Sequence, residues 1–419
     1  MNGSILEVII IGAGHAGLSA SYYLKHLGLE HAVFERGKIG ESWRAQRWDS
    51  FIMNTANRLN ILPGYIYKGK KPEGFSSATE FVKSLEDYVS SFQLPVSENT
   101  DVLSIEKLQS NPYFTLSVSQ DNELVRTYNC WQVIVATGAS NVPNVSTFAS
   151  LVSSDITQLH SAQYRNAAQL PEGAVLVIGG AQSGCQITED LLDAGRKVFL
   201  STSRVPRIPR RYRGKDIMDW LIETKLMDFT NVGILPEMES KREPLLSGSG
   251  DELGHTLSLQ LLAQKGAVLL GRMNNAIGET VFFDDNVGEH IEFGDDYTAK
   301  VKSMIDEFIR TNKIEASFQE VDEVEVPFVD PGESNLSLNL MDNNITSIVW
   351  ATGFLGKYDF VKLPVLNERG QPVHHHGVSA TEGLYFIDCS PHRDWKSNFI
   401  FGIKEDATFI TSKIYSVLR

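Results

Sequence analysis

The strongest constraint on this chain is a local pattern that it carries twice. Val8–Gly17 and Val175–Gly184 each combine an apolar run rich in β-branched residues, a glycine-rich turn and a helix-like stretch. A run that is apolar without alternation marks a parallel strand buried on both faces, and the helix after it is the crossover to the next strand. A second pair recurs as well. Val133–Gly138 and Ile348–Gly353 are strand-like and both end in Ala-Thr-Gly. With 419 residues the chain is long enough for about two or three cores.

The order of these segments suggests how they are organised. One turn lies near the start, one near the middle, and the second Ala-Thr-Gly strand comes late. The economical arrangement is an α/β fold with two Rossmann-like domains, the second inserted into the first. Residues 1–165 and 325–419 are expected to form the outer domain, and 166–324 the inserted one. Pro171 and Gly173 mark the entry, and Pro327, Pro331 and Gly332 the return. The stretch Pro206–Gly266 fits a plain Rossmann unit poorly. It reads as an elaboration, helical around Asp216–Met227 and Leu257–Gln264.

Both turns have the chemistry of a dinucleotide site. In Gly12-Ala-Gly14-His-Ala-Gly17, Gly12 permits the tight turn and Gly14 lets the backbone approach a pyrophosphate. Gly17 lets helix and strand pack closely, and the helix N-terminus faces the anion. Glu35 ends the next strand, where an acid meets ribose hydroxyls, and the site reads as that of FAD. In Gly179-Gly-Ala181-Gln182-Ser183-Gly184 the middle glycine is Ala181. The strand that follows, Lys197–Ser201, ends without an acid and runs into Ser201-Thr202-Ser203-Arg204, then Arg207, Arg210 and Arg211. Hydroxyls and arginines suit a 2′-phosphate, hence NADPH; a solvated basic loop is the plainer alternative. His15 is placed near the cofactor. His374-His375-His376 reads as a solvated loop and not as a metal site. Phe51, Tyr65, Trp220, Trp395 and Phe399 suit an apolar pocket, though core packing is the simpler role.

Composition narrows the partners. A net charge of −14 opposes nucleic-acid binding. No apolar run is long enough to span a membrane and no signal peptide is visible, so the expectation is a cytoplasmic protein, with a homodimer as an allowed assembly. Cys130, Cys185 and Cys389 include no Cys-x-x-Cys pair, which excludes a thioredoxin-reductase dithiol.

With these residues the chain resembles the flavin-containing monooxygenase-like superfamily (class B flavoprotein monooxygenases), in particular its bacterial CzcO-like branch. The resemblance runs in order through most of the chain. It takes in both glycine turns, Gly40-Glu-Ser-Trp43-Arg44, Trp48-Asp49-Ser50, Asn54-Thr55, Leu159-His160-Ser161 with Tyr164, and Pro209–Gly214. It continues through Trp350-Ala-Thr-Gly353-Phe354, Gly383–Phe386 and Lys396-Ser397 with Gly402. The resemblance implies cofactor contacts at Gly12, Gly14, Gly17, Glu35, Trp43, Gly138, Gly179, Gln182, Ser183, Gly184, Arg204, Arg211 and Gly353. It places Asn54, in chemistry alone an ordinary turn residue, beside the flavin peroxide, although the Lys-Glu pair usual after it is absent. It also implies that the helix after Gly402 closes on the isoalloxazine. Monooxygenases of this kind carry Phe-x-Gly-x-x-x-His before the second turn; here His160 is in place, but Ser154 and Ile156 occupy the Phe and Gly positions.

The activity implied is that of a flavoprotein oxidoreductase. NADPH reduces FAD, oxygen adds to give a C4a-(hydro)peroxyflavin, and oxygen passes to a small organic sulfide, amine or carbonyl compound. Two alternatives stay open at this point: an NAD(P)H-dependent flavin oxidoreductase or oxidase without oxygen transfer, and a flavin-binding regulatory or transport-associated protein.

Overall fold

The structure is a computed structural model and describes residues 5–108, 111–121, 124–227, 248–249, 254–316, 336–389 and 395–419. The first glycine turn belongs to a nine-stranded sheet. Its centre is strand Leu6–Ile11, parallel to His31–Phe34 on one side and to Leu124–Val135 on the other. Leu384–Phe386 adds in parallel beyond Leu124–Val135. Val8, Ile9 and Ile10 are wholly buried, as expected of a strand covered on both faces. The second turn belongs to a five-stranded, all-parallel sheet with Ala174–Ile178 at its centre. The architecture is therefore α/β with two parallel-stranded units, each carrying one glycine turn.

Two strands sit elsewhere than the sequence suggested. Thr157–His160 and Ile345–Trp350, expected in the outer domain or at its edge, are both hydrogen-bonded into the second sheet. The reason is steric. Gly12 has φ +106°, and a Cβ there would lie 2.6 Å from the Ala136 carbonyl oxygen. Gly179 has φ +122°, and its Cβ would lie 2.4 Å from the Ala351 carbonyl oxygen. Each turn thus packs its first glycine against the end of its own Ala-Thr-Gly strand, so the two such strands are shared one to a sheet. The chain passes between the sheets twice. The two crossings, Val142–Pro143 and Phe354–Leu355, pair antiparallel side by side.

In the elaboration, helices cover Ile217–Glu223 and Leu259–Gln264; the first begins one residue later and ends four residues earlier than the sequence suggested, and the second begins two residues later. Asp216 and Ser258 cap them instead, accepting from the backbone N–H groups of Met218 and Leu261. Trp220 is wholly buried against the long helix Val287–Asn312, among Ile208, Tyr297 and Val301. Phe51 is buried among Trp43 and Trp48, so both aromatics are core residues. Tyr65 and Phe399 are partly buried against core clusters. The histidine run forms an edge hairpin, with His374 stacked on Phe386 at 5.6 Å, and not a loop. The expected return near Glu325, with Pro327, Pro331 and Gly332, lies outside the described residues, as does the side chain of Trp395.

The third glycine of each turn is a point of very close packing. A Cβ at Gly184 would come within 1.8 Å of the Gly179 carbonyl oxygen. Gly184→Ala is therefore expected to push the following helix off its strand and cost about 1–3 kcal/mol, read as a lower urea midpoint.

Candidate functional site

The first turn opens onto a cleft of about 590 Å³. Gly14 is the N-cap of helix His15–His26 and offers no side-chain cap, so the helix's first N–H groups face the cleft. A Cβ on Gly14 would meet nothing within 4 Å, unlike one on Gly12 or Gly17. That open space beside a helix N-terminus is what a pyrophosphate needs. Glu35 lies 7% exposed in the wall, its carboxylate accepting from the N–H groups of Ala13 at 2.8 Å and Gly37 at 3.0 Å. Burial raises its pKa, and the two amides oppose that shift. Gly138, with φ +78°, and Trp43 line the same cleft. So does Thr137, whose buried hydroxyl oxygen has no partner among the described residues. The donor set and the open turn fit a flavin dinucleotide.

His15 and Asp388 face each other across the cleft, Nε2 to Oδ2, at 3.9 Å. Burial lowers the His15 pKa, with Asp388 pulling the other way. Asp388 closes the Leu384–Phe386 strand with φ +57°, a left-handed conformation that aims its carboxylate back toward Gly138. The sequence reading passed over it because a single Asp in a loop carries no spacing signal.

At the second turn, helix Gln182–Asp193 begins after Ala181, and Ser183 lies half-buried in its first turn. The hydroxyls that follow divide by role. Ser201 donates to the Gly271 carbonyl and Thr202 to the Leu270 carbonyl, and both are buried. Ser203 is partly exposed and accepts from the Gly180 N–H at 3.3 Å. The arginines divide too. Arg207 pairs with Asp295, and Arg210 pairs with Asp216 in the interior. Arg211 donates to the Gly214 carbonyl at 3.0 Å. Arg204 is exposed, lies over the Phe293 ring at 3.6 Å, and has no carboxylate partner among the described residues. Gly353 ends the second sheet's Ala-Thr-Gly strand. Its carbonyl accepts from His160 Nε2 at 2.9 Å, while His160 Nδ1 accepts from the Ala162 N–H. These two bonds fix a neutral His160 as a brace between strand ends, and burial lowers its pKa.

Asn54 stands between the two units. Its Oδ1 accepts from Gln182 Nε2 at 3.4 Å and from Gln186 Nε2 at 3.2 Å, both on the second turn's helix. Its backbone carbonyl accepts from Arg210 Nη1 at 2.7 Å. Close by, Arg58 grips both oxygens of Asp219 at 2.6–2.7 Å. The side-chain Nδ2 of Asn54 has no acceptor among the described residues. At the C-terminus, helix Ile403–Leu418 packs beside helix His15–His26 and places Glu405 and Asp406 at its own N-terminus.

Residues 9–232 match the family profile described as pyridine nucleotide-disulphide oxidoreductase. An uncharacterized CzcO-like oxidoreductase of Geobacillus kaustophilus is 30% identical over 415 residues, 98% of each chain. Flavin-containing monooxygenase 1 of Mus musculus is 28% identical over 296 residues, 59% of this chain and 54% of the mouse protein. In fold, the chain is similar to a flavin-containing monooxygenase from Stenotrophomonas maltophilia, with a TM-score of 0.67 at 16% identity over 99% of this chain and 100% of that one.

The open space at Gly14 yields a direct test. Gly14→Val places its Cβ where no protein atom lies within 4 Å and fills the space with side chain, so the variant is expected to fold yet purify without flavin. A normal yellow absorbance per chain would disprove the assignment of the first turn.

Proposed function

This chain belongs to the pyridine nucleotide-disulphide oxidoreductase family and groups with its CzcO-like and flavin-containing monooxygenase members, and we propose that it is an FAD-dependent, NADPH-consuming monooxygenase of a small organic substrate. FAD belongs in the cleft at the first turn and NADPH at the second. Bound there, the two supply hydride transfer and oxygen activation. In this reading the nicotinamide unit runs from about Asn144 to Gly353, a division supported by the antiparallel pair at the two crossings.

The observation that carries the proposal is the state of Asn54. Its acceptor oxygen is occupied by two glutamine amides and its carbonyl by Arg210, which leaves one face of the carboxamide, the Nδ2 donor, for a ligand. A donor held rigidly from both units, next to the buried Phe51 and Met53, can hold an oxygen atom while water is kept out. The thiols do not support the disulphide chemistry in the family's description. All three are free and buried, and burial pushes Cys130 and Cys185 up to about 12, so neither is a thiolate near neutral pH.

Two outcomes test the reading. Arg204 is the exposed arginine after the second turn without a carboxylate partner among the described residues, so Arg204→Ala is expected to lower kcat/KM for NADPH roughly ten- to a hundred-fold and leave NADH little changed. Equal losses for both cofactors would remove its role at the 2′-phosphate. Asn54→Leu is expected to keep flavin and NADPH-driven flavin reduction, while most NADPH consumed goes to hydrogen peroxide and not to product. Unchanged coupling over a panel of sulfides, amines and ketones would leave Asn54 a structural bridge. Full peroxide stoichiometry in the unaltered protein over the same panel would favour an oxidase.

A further inference from the structure

Arg47 differs from the other buried and half-buried arginines around the two turns. Arg210 and Arg207 each face an aspartate, Arg58 grips Asp219 and Glu73, and Arg165 is satisfied by the backbone carbonyls of Ala45 and Arg47 among others. Arg47 donates only to the carbonyl of its neighbour Gln46, at 3.0 Å, and no carboxylate lies within ion-pair distance among the described residues. Its guanidinium sits over the Trp43 ring at 4.7 Å and the Phe51 ring at 5.3 Å. Arg47 is half-buried in the cleft wall, and desolvation lowers its pKa to about 10 with no carboxylate beside it to offset the shift.

Nor is the guanidinium loosely held. Arg165 donates to the carbonyl of Arg47 itself at 2.6 Å and also to that of Ala45, which pins the backbone on which the side chain stands. The guanidinium also lies within cation–π distance of both the Trp43 and Phe51 rings. None of the five acids that line the cleft pairs with it: Glu35 is bound by two amides, Asp388 faces His15, Glu41 accepts from the Lys38 N–H, Asp359 pairs with Lys357, and Asp101 makes no ion pair among the described residues. The remaining cations that line the cleft, Arg36, Lys357 and Lys362, are exposed.

We propose that Arg47 pairs with a phosphate oxygen of the flavin dinucleotide, an inference that rests on FAD occupying the first cleft. The lining favours the pyrophosphate over the ring. Arg47 shares the cleft wall with Gly12, Gly14, Trp43 and Gly138, the residues of the pyrophosphate turn and its neighbours, whereas Asn54 does not line it. A planar, two-pronged donor stacked on an indole matches a diphosphate group, for which the helix N-terminus supplies amides but no full charge.

The test compares two flavins that differ in phosphate. Full-length protein is stripped of flavin, and FAD and riboflavin are titrated back by fluorescence quenching, with FAD loss on dilution of the loaded protein as a second readout. Arg47→Met is expected to weaken FAD binding roughly ten- to a hundred-fold and to change riboflavin binding less than about two-fold. Arg47→Lys, which keeps the charge but not the fork, should fall between and serves where Arg47→Met folds poorly. Unchanged FAD affinity in both variants overturns the proposal, and so do equal losses for FAD and riboflavin, which would make Arg47 a packing residue for Trp43 and Phe51. Failure of the unaltered chain to bind either flavin would instead refute the FAD site itself, and the proposal with it.

Discussion

Gly12 and Gly179 each lie where a Cβ would strike the carbonyl of an alanine on the neighbouring strand, and much of the structure follows from those two contacts. The contact sets the path of the turn, and with it the direction in which the next helix points its free N–H groups. It also makes the Ala-Thr-Gly strands obligatory neighbours of the turns. One such strand must lie beside each turn, so the chain has to leave the second sheet after its own copy and not before it. The paired crossings at Val142–Pro143 and Phe354–Leu355 are the result.

The two units share one apolar core cluster, and buried charges fasten them at specific points. Arg210, 1% exposed, pairs with Asp216 and reaches across to the Asn54 carbonyl, and Arg58 reaches back to Asp219. A buried pair of this kind adds little net stability over a well-packed apolar one, but breaking it by removing one partner costs about 3–5 kcal/mol. Its value lies in geometry. Asp216 also caps helix Ile217–Glu223, so the helix, the ion pair and the Asn54 loop are fixed by one another. A catalytic claim for Asn54 depends on that rigidity, because a carboxamide that is one ångström out of place holds nothing.

The first cleft is open at its rim, and its inner wall holds three desolvated ionisable groups. Glu35 is pushed toward protonation by burial, His15 toward neutrality, and Arg47 away from its usual basicity, all by the same desolvation. A phosphate-bearing ligand relieves the last of these directly, and ribose hydroxyls suit the first.

Much of this could be read from the chain alone. Both glycine turns, the acid at Glu35, its absence after Leu200 and the two-unit α/β architecture follow from short-range rules, because a turn's dihedral needs and a buried strand's composition are local. Even the departure at Ala181 was visible. What the sequence could not decide was every assignment that depends on which strand lies beside which. Ile345–Trp350 looked like part of the first unit because its ending matched the first unit's strand; only the Gly179–Ala351 contact places it in the second sheet. Of the four arginines after the second turn, the sequence favoured Arg204, with Arg211 beside it, without showing what the others do. Folding commits Arg207 and Arg210 to aspartates remote or offset in sequence and leaves Arg204 exposed. Asn54 was a turn residue by its chemistry alone and a site residue only by resemblance; the structure sets it against Gln182 and Gln186, and Arg47 had no distinguishing signal in the sequence. Backbone conformation is set by residues close in sequence, but the pairing and desolvation of charges are set by residues that only the tertiary structure brings together.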